Sequence, residues 1–376
     1  MSFFDFFSSL DQKEIVDRVY AKYDQTYLLT LINKESLHYY DFLALLSPSA
    51  ESVLNEMAIK SQFITKKFFG NTMLLYVPLY LSNECSNACL YCGFNKNANI
   101  IRRTLSLKEI EQEILFLKEK GFDHILLLTG EYPSVAGIDY LEEAISLTKK
   151  YFSSISLEVF PSTEAKYKQL VDAGATGLTL YQETYHLPTY KLVHLSGPKT
   201  NFAFRLNAPE EALAAGFRKV GLGALLGLTD WRFDSAFVGS HAKYLMNKFW
   251  KSDVSISFPR LRHTPSSLPL IFTVSDKNLV QMILAFRLFL PSSALTLSTR
   301  ESAELRDNLM GLCITQMSAE SKTNPGGYTS NLSTEQFSTD DNRSLKKIIS
   351  CLNKKGLDPI LKDWSNHFQG FNQEPA

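Results

Sequence analysis

The chain has 376 residues, and its 39 Lys and Arg balance 39 Asp and Glu, so the formal net charge is zero. That length suits one barrel-sized domain with extensions, and the charge balance argues against a nucleic-acid binder. The best candidate for a membrane span, Leu279 to Leu290, is too short and is interrupted by Gln281 and Arg287.

The chain starts Met1-Ser-Phe-Phe-Asp-Phe-Phe7, without the basic segment and continuous apolar run of a signal peptide. A cytoplasmic protein with reduced thiols is expected. Residues 1–70 read as a helical extension, with helical spacing of apolar positions over 12–23 and 51–60. From Met73 short apolar runs alternate with helical stretches. The predicted strands are Met73–Leu81, His124–Thr129, Ile155–Phe160, Gly177–Tyr181, Phe202–Leu206, Val220–Leu222, Val254–Phe258 and Leu295–Ser298. Strands alternating with helices predict a parallel sheet, and eight such units predict a closed (β/α)8 barrel of the α/β class. Residues 71–300 are assigned to it, with 301–376 as a C-terminal extension packing on the barrel.

The helices between carry their own start and stop signals. Ser106-Leu-Lys-Glu109 is a capping box, and Gly121 suits the left-handed residue after that helix. A helix over 165–173 ends at Gly174. Ala208-Pro209-Glu-Glu211 reads as a helix start with proline at its first position. Residues 320–345 read as a long irregular segment, followed by a helix from Leu345.

Three of the five cysteines form Cys85-Ser-Asn-Ala-Cys89-Leu-Tyr-Cys92. A structural zinc site needs a fourth ligand nearby, as a second cysteine pair or a histidine pair, and none follows. Three thiolates instead suit a four-iron four-sulfur cluster with one iron left open for chemistry. Cys313 and Cys351 read as packing residues.

Polar residues recur where strands end, the face of such barrels that carries catalysis. Gly130-Glu131 follows the second predicted strand, and Tyr181-Gln182-Glu183-Thr184-Tyr185-His186 the fourth. The fifth carries Arg205, the seventh runs into Arg260-Leu261-Arg262, and the eighth into Arg300-Glu301. Arginines at such ends either bind a carboxylate bidentately or form ion pairs at the rim. Tyr181, Tyr185 and His186 line either an aromatic pocket or the barrel core.

The C-x3-C-x2-C spacing, with Tyr91 before the third cysteine, resembles the radical S-adenosylmethionine superfamily. The resemblance implies that Cys85, Cys89 and Cys92 hold the 4Fe-4S cluster. It also implies that the cluster binds S-adenosyl-L-methionine and splits it to a 5′-deoxyadenosyl radical. Several runs narrow the family: Tyr76-Val-Pro-Leu-Tyr-Leu-Ser-Asn83, Leu128-Thr-Gly-Glu131, Leu180-Tyr-Gln-Glu-Thr-Tyr-His186, Ser257-Phe-Pro-Arg-Leu-Arg262 and Leu297-Ser-Thr-Arg-Glu301. In this order they resemble the 2-iminoacetate synthases, the tyrosine lyases of thiamine biosynthesis.

That resemblance implies cleavage of the Cα–Cβ bond of L-tyrosine to 2-iminoacetate and p-cresol. It implies a flavodoxin-type electron donor and thiazole synthase as protein partner. Carried over, Glu131 with Gly130 holds the methionine ammonium, and Tyr91, Gln182 and Arg205 contact the cofactor. Arg300 is the first choice for the substrate carboxylate, with Arg260 or Arg262 second. The family's Pro-Arg-Leu-Arg run should continue with proline and a glycine-containing loop; here it reads His263-Thr-Pro-Ser-Ser. Alternatives are the hydrogenase-maturation tyrosine lyases, a tryptophan lyase, and a non-enzymatic iron–sulfur scaffold. The first of these needs further C-terminal cysteines, and only Cys351 lies near that end.

Overall fold

The computed structural model describes residues 1–262 and 272–362; the His263 loop and the stretch from Asp363 lie outside the described residues. Nine strands make one sheet: β1 Thr72–Ser82, β2 His124–Thr129, β3 Ser154–Glu158, β4 Gly177–Thr179, β5 Lys219–Gly223, β6 Asp253–Ser257, β7 Leu295–Leu297, β8 Gln316–Ser318 and β9 Asp358–Ile360. β1 to β8 pair in parallel around a ring, which β1 closes by pairing with both β8 and β2. β9 adds to the start of β1 in parallel. This is the predicted closed barrel. All the ring strands point their C-terminal ends at one face, so the described loops that follow them open there.

Helices wrap the ring, and their ends follow the local chemistry. Ser106 and Glu109 form the expected capping box on the helix Leu107–Glu119. The helix Glu164–Ala173 ends at Gly174, whose φ of 126° few other residues tolerate. The first 70 residues are five α-helices and one short 3-10 turn docked on the barrel's outer helices. Phe3 stacks on His241 at 3.6 Å between ring centroids, and Phe42 stacks on Phe289 at 4.5 Å. A side chain at Gly239 would meet the Phe42 ring at 2.4 Å, so this position lets the two helices approach.

The structure corrects four expectations. Phe202–Leu206 is the start of a helix, Phe202–Ala214, and not a strand. Asn201 caps it by accepting from the Phe204 amide, and Phe202, Leu206 and Pro209 then share one buried face at helical spacing. A short apolar run cannot by itself distinguish helix from buried strand. It follows that Pro209 lies inside this helix and does not start one, and that Arg205 sits on the helix and not on a strand.

The eighth barrel strand is instead Gln316–Ser318, so the barrel closes beyond residue 300. The segment after it is anchored by a buried ion pair, Arg306 with Asp341, both side chains fully covered. Arg306 also donates to the Ser318 carbonyl. Asp341 also pairs with Arg343 at 2.7 Å and would keep that partner without Arg306, whereas removing Asp341 strands the covered Arg306 charge. Asp341→Ala is expected to cost about 3–5 kcal/mol of stability, measured by chemical denaturation. A loss under about 1 kcal/mol, the range of an exposed pair, would mean the pair is not closed off from solvent.

Candidate active site

The chain leaves β1 into a loop that carries the three cysteines and is held shut by polar contacts. Arg102 donates to three carbonyls of this loop, those of Asn83 at 2.7 Å, Phe94 at 3.1 Å and Asn95 at 2.6 Å. Asn95 in turn donates to the Cys89 carbonyl at 2.9 Å. Leu90 and Ala88 are tied by their amides to Val193 and Ser196. Cys89 is buried, while Cys85 and Cys92 are partly open.

Donors face the sulfurs. The Phe94 amide lies 3.4 Å from Cys92 Sγ and Gln336 Nε2 lies 3.5 Å from it; Asn87 Nδ2 lies 3.8 Å from Cys85 Sγ. Burial pushes the Cys89 thiol up to about 12 and also raises Cys92. Metal binding therefore has to displace protons here. Among the described residues no three His, Cys, Asp or Glu side chains close around a single ion. A cluster fits better, because each thiolate then ligates a different iron and the sulfurs stand farther apart. N–H donors on the sulfurs are the features that steady such a cluster.

The end of β2 locks onto this loop. The Glu131 carbonyl accepts from the Ser86 amide at 2.9 Å, and its carboxylate from Asn87 Nδ2 at 2.7 Å. A side chain at Gly130 would meet the Glu84 carbonyl at 2.2 Å, so the glycine admits the cluster loop itself. Gly130→Ala is expected to push that loop away and cut bound iron to less than half. Iron content and circular dichroism of the purified variant test this; full iron loading would show that the loop gives way without cost.

A buried charged network stands opposite. Glu183, after β4, adopts a φ of 70° and accepts from Lys199 at 2.6 Å and Arg205 at 3.3 Å. Burial pushes the Glu183 carboxyl up, but Lys199 and Arg205 outweigh it and hold it below its usual value. Arg205 also donates to the Tyr181 carbonyl at 2.7 Å. So although it sits on a helix, Arg205 still reaches this end of the barrel. Lys199 Nζ lies 5.5 Å from the centre of the Tyr91 ring. The Tyr91 hydroxyl is 2.8 Å from His194 Nε2. Burial and Lys199 push His194 down to about 3, so it is neutral, and its Nδ1 hydrogen goes to the Tyr190 carbonyl at 2.7 Å. Nε2 must then accept from Tyr91. Gln182 is buried with its Oε1 unpartnered among the described residues, and its Nε2 donates to the Phe202 carbonyl at 3.5 Å.

The three arginines divide. Arg260 pairs with Glu301 and with Asp276 at 2.7 Å; Arg262 pairs with Glu301 at 3.3 Å and Asp340 at 2.8 Å. Both are used in joining the chain after β6 to the chain after β7. Arg300 instead lines an inner pocket with Tyr80, Glu158, Tyr181 and Phe337. Its guanidinium lies 3.4 Å from the centre of the Phe337 ring and has no carboxylate partner among the described residues. Tyr185 and His186 take the structural alternative. Tyr185 is buried against His241 at 2.9 Å, and His186 caps the helix Leu187–Val193.

Sequence reasoning missed Glu158, Lys199 and Gln336. Glu158 was detectable as the one acid in a strand otherwise made of serines and apolar residues. Lys199 lies on the short 3-10 turn Pro198–Thr200 and Gln336 on an irregular segment, where no periodicity marks them.

The match to known proteins follows this layout. Residues 79–237 match the model of the radical SAM superfamily, and 257–358 that of the Biotin and Thiamin Synthesis associated domain. The chain is 44% identical over 338 residues to 2-iminoacetate synthase of Escherichia coli (strain K12), covering 89% of this chain and 90% of that one. The chain belongs to the 2-iminoacetate synthase family. It is 42% identical to the Salmonella typhimurium 2-iminoacetate synthase, covering 89% of both chains. Among solved structures it resembles the FeFe-hydrogenase maturase HydG from Carboxydothermus hydrogenoformans, with a TM-score of 0.84 and 33% identity over 95% of this chain and 82% of that one. Members of the 2-iminoacetate synthase family are radical S-adenosylmethionine enzymes. Their cofactors are a 4Fe-4S cluster and S-adenosylmethionine.

Proposed function

We propose that this enzyme cleaves the Cα–Cβ bond of L-tyrosine to 2-iminoacetate and p-cresol. The observation that carries this is 44% identity over 338 residues to a 2-iminoacetate synthase, joined to a three-cysteine loop and a pocket whose arginine has no carboxylate partner among the described residues. The cluster and S-adenosylmethionine, when bound, supply the 5′-deoxyadenosyl radical. The protein's own residues hold, orient and shield.

Cys85, Cys89 and Cys92 hold the cluster. Glu131 receives the methionine ammonium, with Gly130 keeping it beside the cluster loop. Gln182, Arg205 and Tyr91 shape the rest of the cofactor site. Arg300 takes the substrate carboxylate, because Arg260 and Arg262 are already paired with acids. A barrel interior suits this chemistry, since it keeps water from a radical and from an imine that hydrolyses.

A fragile product favours direct transfer, so thiazole synthase is the proposed partner, with a flavodoxin-type protein as electron donor and the cytoplasm as the location. No helix among the described residues is long and apolar enough to cross a membrane.

The test is anaerobic. The reconstituted enzyme, given S-adenosylmethionine, dithionite and L-tyrosine, should yield 5′-deoxyadenosine and p-cresol together, with glyoxylate from the hydrolysed imine. Cyanide or carbon monoxide among the products would favour the hydrogenase-maturation chemistry suggested by the likeness to HydG. Deoxyadenosine without p-cresol would move the search to tryptophan and other aromatic substrates.

A further inference from the structure

The inner pocket holds two opposite charges that form no ion pair among the described residues. Glu158 stands at the end of β3 and Arg300 just beyond β7, both lining the same space. Neither makes an ion pair among the described residues, with the other or with a third group. Leaving a carboxylate without a partner inside a protein is costly. A ligand carrying both charges, as a free amino acid does, satisfies the two at once.

We propose that Glu158 receives the substrate's ammonium group and removes one of its protons, which makes it a catalytic residue. This rests on the lyase reading above. The reaction needs such an acceptor. The tyrosine zwitterion, C9H11NO3, gives up one hydrogen atom to form 5′-deoxyadenosine and regains it as an electron from the external donor plus a proton, so p-cresol, C7H8O, and the 2-iminoacetate anion, C2H2NO2⁻, form with one ammonium proton left over. In the proposed step one N–H bond of the ammonium breaks, an O–H bond forms on Glu158, and the electron pair stays on nitrogen.

The neighbours support this assignment. Burial pushes the Glu158 carboxyl up to about 7, against the opposing pull of Arg300, and a base is most effective when its pKa lies near the working pH. Glu183, Lys199 and Arg205 also act on it from the chain after β4 and the helices beyond. The other titratable groups of the pocket, Tyr76, Tyr80 and Tyr181, are held protonated by burial and cannot accept.

The test uses reconstituted enzyme with S-adenosylmethionine and two ligands, L-tyrosine and 3-(4-hydroxyphenyl)propionate, which lacks the amino group. The wild type should bind L-tyrosine at least tenfold more tightly. Glu158→Gln should lose that preference, with p-cresol formation down at least 100-fold and iron content and the cluster's EPR signal unchanged. Glu158→Asp, which keeps the charge, should retain much of the preference, and this separates lost chemistry from lost folding. A Glu158→Gln variant that keeps the wild-type preference, or a wild type that shows none, overturns the proposal. Whether the wild type makes p-cresol tests the lyase reading itself, separately from the binding preference.

Discussion

Cys89→Ala is expected to abolish cluster binding and every turnover that depends on it. Cys89 is the most buried of the three cysteines, at 4% exposure, and its carbonyl is held by Asn95. Alanine leaves two thiolates for a cluster that needs three, and no other cysteine lies within reach. Cys313 is fully buried elsewhere, beneath Arg287, and Cys351 lies on the helix Leu345–Lys354. The measurement is iron and sulfide per chain after anaerobic reconstitution, with the visible absorption of the cluster and 5′-deoxyadenosine release. Both should fall to background, while Cys313→Ala keeps them. A Cys89→Ala protein with full iron and wild-type deoxyadenosine release would remove the cluster from this loop.

Arg300→Met should lower turnover of L-tyrosine strongly while leaving the cluster intact. The guanidinium is half-buried and rests on Phe337, so its direction is set before a ligand arrives. Removing one partner of such a charge pair costs about 2–5 kcal/mol, or about 30-fold to several-thousand-fold in kcat/KM. The loss should fall on KM for L-tyrosine more than on uncoupled cleavage of S-adenosylmethionine, which Arg300 does not serve. Arg300→Lys keeps the charge but loses the paired donors, and should recover only part. If Arg300→Met leaves KM within threefold while Arg260→Met raises it, the assignment of the three arginines is reversed.

The parts of this site that were legible in the sequence are those encoded locally. Three thiolates in eight residues carry their meaning in their spacing, and β2 runs over the predicted residues because His124–Thr129 is apolar and closely bounded by turn residues. Two kinds of feature stayed hidden. β8 is three residues, Gln316-Met-Ser318, too short and too polar to register as a strand; only its place between β7 and β1 makes it one. Phe202–Leu206 failed in the opposite sense, because its apolar run suits either element and the deciding cap, Asn201, lies one residue outside it. The charge pairing was hidden too. Nothing near Arg260 or Arg262 in sequence announces Glu301, yet that carboxylate separates them from Arg300, which is free to meet a ligand.

The contact between Gln336 and Cys92 spans 244 residues and has a consequence for biosynthesis. The cysteines leave the ribosome long before β8 and Gln336 exist. At about 5–20 residues per second, the interval is about 12–50 s. Throughout it the three thiols sit on an unclosed half-barrel, open to oxidants and to stray metal ions. A cluster loaded before residue 336 is made would lack the Gln336 donor on Cys92, and a nascent chain stalled before residue 316 should be the form most easily lost to oxidation.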